Sequence, residues 1–219
     1  MRDIATESLW EQVRGQTRRL LEDAERCAGS ATESAVESLL MRISGRLGPV
    51  QREHVIAHGR LVAACAERIG RSLGLGPQRI SQLRIAGLLH DIGKCAMPEQ
   101  MLAAARPLAA EEREIMDTHA AIGAAVAARL GAPAPVQEAV RDHHTTFADG
   151  GLTWARPGTL GRIIAVADAL VAMTSARAYA PPRPMAEAII ELRACSGGQF
   201  DPVVVGAVAC LAPASAAAA

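Results

Sequence analysis

The chain has 219 residues, half of them hydrophobic but only 2% aromatic, and its 23 basic side chains balance its 23 acidic ones. A net charge of zero argues against non-specific binding to nucleic acid polymers or anionic membranes, so any phosphate recognition must be local to a pocket. The length suits one domain with a sizeable core plus an extension. A core of Ala, Leu, Val and Ile with so few aromatics favours closely packed helices, and the fold expected is all-α.

In chain order, residues 3–28 read as a helix, with Trp10, Val13, Thr17, Leu20, Ala24 and Cys27 at alternating steps of three and four. That stripe suits either a helix lying on its own domain or a short dimerising stalk, and a homodimer through the N-terminal helices follows from the second alternative. Ser30-Ala31-Thr32-Glu33 is a capping-box pattern opening a second helix through Leu47, which Gly48-Pro49 ends. Residues 1–49 therefore form an N-terminal helical extension. The body, residues 50–212, opens with a helix over 52–73, stopped by Gly74-Leu75-Gly76-Pro77, and continues with another over 77–90. A loop over 92–107 contains Pro98, and a helix over 108–130, acidic in its first turns, carries His119. A helix over 135–144 comes next. The Gly- and Thr-containing loop over 145–158 precedes a nearly all-apolar buried helix over 159–175. Pro181-Pro182-Arg183-Pro184 stiffens the connection to the last two helices, 185–195 and 202–211, and residues 213–219 read as a disordered tail.

The chemistry concentrates in Leu88-Leu89-His90-Asp91-Ile92-Gly93-Lys94. An ionised carboxylate at the end of an apolar run is costly unless something cationic receives it. A divalent metal would do so, with His90 and Asp91 as ligands and Lys94 facing an anionic substrate. Taken alone, the doublet also suits a helix end where Asp91 caps the next turn and His90 packs in the core. The other histidines decide between these. All six, His54, His58, His90, His119, His143 and His144, fall within residues 54–144. His54 and His58 are four apart, so on a helix they share a face. Asp168 is the lone charge in Ile163-Ile164-Ala165-Val166-Ala167-Asp168-Ala169-Leu170. Clustered His and Asp of this kind mark a metal or catalytic site. Mixed imidazole and carboxylate ligation suits Fe, Mn or Zn better than Mg or Ca.

The order His58, His90-Asp91, Asp168 resembles the HD superfamily of metal-dependent phosphohydrolases. The longer series His58, His90-Asp91-Ile92-Gly93-Lys94, His119, His143-His144, Asp168, Thr174-Ser175-Ala176-Arg177-Ala178-Tyr179 and Gly198-Gln199-Phe200-Asp201-Pro202 resembles its HD-GYP branch. The likeness spans residues 50–212. The chain departs from that branch in three places: the loop after His143-His144 lacks Gly-Tyr-Pro, His54 stands where some members have a metal-binding glutamate, and Leu61 stands where the family often has arginine.

The resemblance implies a multi-helix HD-domain bundle and two or more divalent ions, iron or manganese ahead of zinc. It implies that Asp91 bridges two ions, with His58, His90 and Asp168 completing one and His119, His143 and His144 the other; His54 is a further candidate ligand. A water acidified by two cations would attack as hydroxide. Lys94 would hold a phosphate oxygen and Arg177 the far phosphate or guanine, so Asp91 and Lys94 are the catalytic residues, and Lys94 and Arg177 bind substrate. The substrate implied is cyclic di-GMP, opened to linear pGpG, with cleavage on to GMP an open second step. Hydrolysis of another nucleotide and a catalytically weak cyclic-dinucleotide receptor are the alternatives. No stretch reaches the length of a membrane span and the N-terminus is charged where a secretion signal would be apolar. Five cysteines, Cys27, Cys65, Cys95, Cys195 and Cys210, form no Cys-x-x-Cys pair. A cytoplasmic protein with free thiols is expected.

Overall fold

The computed structural model describes residues 4–29, 33–150, 159–176 and 181–209. Among these, helices account for all regular structure beyond one isolated bridge between Ser196 and Phe200. The longer helices are α1 (Ile4–Cys27), α2 (Glu33–Ser44), α3 (His58–Ser72), α4 (Pro77–Leu89), α5 (Ala110–Asp117), α6 (His119–Arg129), α7 (Ala134–Asp142), α8 (Thr159–Thr174), α9 (Met185–Ala194) and α10 (Pro202–Ala209).

Helix α4 is the axis of the bundle. Pro77 supplies a helix-compatible φ at its first position and Gly76 the extended cap before it. Ile80, Leu83, Ile85, Ala86, Leu88 and Leu89 are buried around its circumference, as expected of a helix enclosed by others. It packs against α2, α3, α7 and α8. The approach of α3 to α4 is close because Gly87 faces Ala63, where a Cβ would overlap backbone, and Gly59 faces the Leu88 carbonyl. That proximity brings His58 beside His90.

The stripe on α1 is covered by the chain itself. Val13 packs with Ala96, Met97, Met101 and Ile115, while Leu20 and Ala24 join the main core with α2. Buried Asp23 receives Arg42 and Arg46 from α2 and the following turn. Of the two alternatives for this stripe, the structure shows the helix lying on its own domain, with Val13, Leu20 and Ala24 covered within the chain and Trp10, Thr17 and Cys27 half-buried.

Three expected elements differ in detail. The helix expected over 52–73 begins earlier, at Pro49–Gln51, and passes through a π-helical stretch, Arg52–Ala57, before α3. The helix expected over 108–130 breaks at Thr118, whose hydroxyl donates to the Ile115 carbonyl at 2.6 Å and competes with the helical ladder. His119 thereby starts a new helix. The segment 92–107 contains a 3-10 turn, Ile92–Ala96, and a short helix, Glu99–Leu102, opened by Pro98.

Candidate metal centre

Seven of the side chains singled out in the sequence converge where ends of α3, α4, α6 and α7 meet the middle of α8. Among the described residues, two groups have ligand atoms within 4.8 Å of one another: Asp91, His119, His143 and His144 form one, and His58, His90 and Asp168 the other. The Asp91 carboxylate lies between them. Its Oδ2 is 3.3 Å from His90 Nε2, its Oδ1 3.4 Å from His119 Nε2 and 3.9 Å from His143 Nε2. His58 Nε2 meets Asp168 Oδ1 at 2.8 Å, and His119 Nε2 and His144 Nε2 stand 3.1 Å apart.

Local backbone geometry prepares these rings to ligate. His90 Nδ1–H donates to the Gly87 carbonyl at 2.8 Å, His119 to Met116 at 2.6 Å and His143 to Val140 at 2.7 Å. Each bond runs back three residues, to a carbonyl freed near a helix terminus. Each fixes the tautomer that leaves the Nε2 lone pair facing inward, the usual support of a metal-bound imidazole. Gly93 permits the packing, since a Cβ there would overlap the His119 carbonyl.

The fit to a metal is tested by the buried atoms left unpartnered. His90 Nε2, His143 Nε2 and Asp91 Oδ1 are buried and make no hydrogen bond. Leaving three such atoms unsatisfied costs several kcal/mol in total by order of magnitude, about 1–3 kcal/mol each. Cations between the two groups would satisfy them all at once. Electrostatics point the same way. Burial, helped by His90 and His144, pushes His143 down to about 3, so its lone pair is free at neutral pH. For Asp168, burial works upward, but the His58 hydrogen bond and His90 hold the carboxyl at about 2. Asp91 lies well below the usual carboxylate range: burial opposes this, and His90, Lys94 and His119 outweigh it. Two ionised carboxylates with five imidazoles make a donor set suited to transition-metal cations.

The remaining candidates take other positions. Lys94 Nζ donates to Asp91 Oδ2 at 2.6 Å. His54 belongs to neither ligand group; it is exposed at the rim of a cleft of about 560 Å³ that opens on Lys94, His119 and His144. Arg177 lies outside the described residues, as do Tyr179, residues 151–158 of the loop that lacks Gly-Tyr-Pro, and Cys210. Leu61 is half exposed. Cys27, Cys65, Cys95 and Cys195 are free thiols. Sequence reasoning missed Arg141 and Asp117, which line the same cleft with Met101 and Met116. Their signal was spacing alone, Arg141 three residues before His144 and Asp117 two before His119.

The Gly198-Gln199-Phe200-Asp201-Pro202 motif has a structural part to play. The Phe147 and Ala148 amides donate to the carbonyls of Gln199 and Gly198, both at 3.0 Å. Asp201 pairs with Arg162 at 3.2 Å and accepts the Val203 amide at 2.8 Å, while Arg162 lies 5.0 Å over the Phe147 ring. The motif thus ties down the chain just after His143 and His144.

Comparison with known proteins gives this arrangement its family. Residues 49–204 match the HD domain model, and the chain belongs to that metal-dependent family. It is 34% identical over 157 residues to a cyclic di-GMP phosphodiesterase of Thermotoga maritima, covering 68% of this chain and 42% of that protein. A 3'3'-cGAMP-specific phosphodiesterase 2 of Vibrio cholerae is 30% identical over 155 residues, 68% of this chain and 30% of the relative. The chain thus spans less than half the length of these curated relatives. In fold it is similar to an HDG"Y"P protein of Bdellovibrio bacteriovorus, with a TM-score of 0.61 at 17% identity, over 95% of this chain and 70% of that one. No helix among the described residues is long and apolar enough to cross a membrane.

Proposed function

We propose that the chain is a metal-dependent phosphodiesterase that hydrolyses cyclic di-GMP to linear pGpG, cleavage on to GMP being an open second step. The observation that carries this is the Asp91 carboxylate lying between two histidine groups, with buried ring nitrogens on both sides lacking any partner. In this reading His58, His90 and Asp168 would hold one divalent cation, His119, His143 and His144 would hold the other, and Asp91 would be a ligand available to both. Bound there, the cations would acidify a water molecule and draw charge off a phosphate. Iron or manganese is preferred, with zinc next.

The chain's own groups do the rest. Lys94 has three N–H donors, and one is held by Asp91; the others can reach a phosphate oxygen at the floor of the cleft. Its ammonium is oriented before substrate arrives, so little reorganisation is needed as charge develops. Arg177 is the second substrate cation proposed, for the far phosphate or guanine. Residues 50–212 are proposed as the catalytic domain and residues 1–49 as the extension packed on it. The family match over 49–204 supports that division.

The test is protein loaded with Fe or Mn and followed for loss of cyclic di-GMP and appearance of pGpG. Turnover is expected, slower than in relatives with an intact Gly-Tyr-Pro loop by roughly tenfold to a hundredfold, the scale of losing one positioning element. Turnover of a different nucleotide alone would reassign the substrate. Binding without turnover in either metal would make the chain a cyclic-dinucleotide receptor.

A further inference from the structure

The cleft beside the metal centre contains a carboxylate that neither ligates nor pairs. Asp117 ends α5 and lines the cleft with Lys94, Arg141 and His144. It is exposed, and no hydrogen bond or ion pair engages it among the described residues. It does not cap α6, whose first turn has no side-chain cap. Exposed in the cleft, the Asp117 carboxylate is hydrated, and a ligand that brings two N–H donors to it can take the place of that water. Next to it, Met116, Met101 and Leu102 provide an apolar wall of the kind a flat base can lie against.

We infer that Asp117 reads the Watson–Crick edge of a guanine and so sets the base preference of the cleft. Guanine is the nucleobase with two adjacent donors on that edge, N1–H and the 2-amino group. An ionised carboxylate, an acceptor at both oxygens, can receive both. Adenine presents a ring-nitrogen lone pair at the matching position, which the carboxylate repels. Arg141, three residues before His144, lines the same cleft and can meet the backbone phosphate by exchanging its half-exposed partner Asp142, which it holds at 2.9 and 3.2 Å. The inference rests on the reading of the cleft as a cyclic-dinucleotide site, but it concerns recognition of the base and not the cut.

The experiment compares wild type with Asp117→Ala. Equilibrium affinities for GMP and AMP are measured by calorimetry on the full, Mn-loaded chain, alongside kcat and KM for cyclic di-GMP and cyclic di-AMP. Wild type should favour GMP over AMP. Asp117→Ala should weaken GMP by roughly tenfold to a hundredfold, the scale of losing a charge-assisted pair of hydrogen bonds, while AMP stays level or tightens. For the cyclic substrates the loss should fall on KM for the guanine ligand, with kcat nearly unchanged. Equal changes for the two bases, or none, would overturn the inference even if cyclic di-GMP is hydrolysed. A guanine preference that depends on Asp117 in a protein with no turnover would uphold it while defeating the hydrolytic reading. Because Asp117 is exposed, the variant should fold, and an unchanged far-UV circular dichroism spectrum checks this.

Discussion

The Lys94 ammonium donates to the Asp91 carboxylate at 2.6 Å, on the same oxygen that faces His90. Asp91 is thus matched by a fixed cation and still has Oδ1 unpartnered toward His119 and His143. Asp91→Asn removes the anion that can hold two cations together and keeps the shape. The variant should lose hydrolysis altogether and lose bound metal, with helical content unchanged. Elemental analysis and circular dichroism read the two effects separately, and a variant retaining most of the wild-type rate would make Asp91 structural. Lys94→Met should separate the roles further: metal content stays, and the rate falls by roughly tenfold to a hundredfold.

Metal should stabilise the fold as well as enable the chemistry. The buried, unpartnered nitrogens of His90 and His143 belong to the folded chain alone. A cation that binds them stabilises by mass action, about 2.7 kcal/mol at a hundredfold excess over Kd. For a chain of this size that corresponds to a rise in Tm of roughly 5–10 °C. Scanning calorimetry with and without chelator measures it. Metal analysis should return at least two ions per chain, falling by one in Asp168→Ala. A melting point indifferent to chelator would argue against the centre.

Gly93→Ala tests the packing that aims His119. A methyl at position 93 would overlap the His119 carbonyl, which is backbone and cannot swing away. The expected cost is about 1–3 kcal/mol from overpacking. The more telling outcome is a shift of α6 that spoils the group around Asp91. The variant should bind less metal than a control of equal instability made elsewhere, such as Ile189→Val in α9. Equal metal content in the two would show that the Gly93 contact does not govern the site.

Asp23 provides a pH test of how α1 and α2 are held together. Burial works to raise its carboxyl, but the Arg42 and Arg46 hydrogen bonds outweigh it, so the folded value lies below the ordinary 3.8. A lowered value means stability present above about pH 4 and lost as pH falls through the folded value. Asp23→Asn should therefore cost about 1–3 kcal/mol at pH 7, and the gap to wild type should narrow at acid pH as the folded carboxyl is protonated. Urea midpoints at the two pH values check it. A gap independent of pH would mean the loss comes from packing and not from the charge.

Much of the site was legible in the order of residues, because its donors are chemically expensive to bury. Asp168 in an apolar run and His90-Asp91 at the end of another have no cheap explanation, and the structure brings both into one cluster with His58, His119, His143 and His144. The order of the long helices was equally readable, since apolar periodicity and the Gly–Pro punctuation between helices are local signals, but the break at Thr118 was not. What stayed hidden was anything that depends on chains meeting across the fold. The α1 stripe suited a dimer seam as well as an intramolecular face, and the choice was made by Met97, Met101 and Ile115, far away in sequence. His54 and His58 look equivalent at a spacing of four, yet the structure places His58 2.8 Å from Asp168 and leaves His54 at the cleft rim. Periodicity determines which side of a helix a residue occupies. Which element covers that side, and whether an atom there finds a partner, is decided by tertiary packing alone.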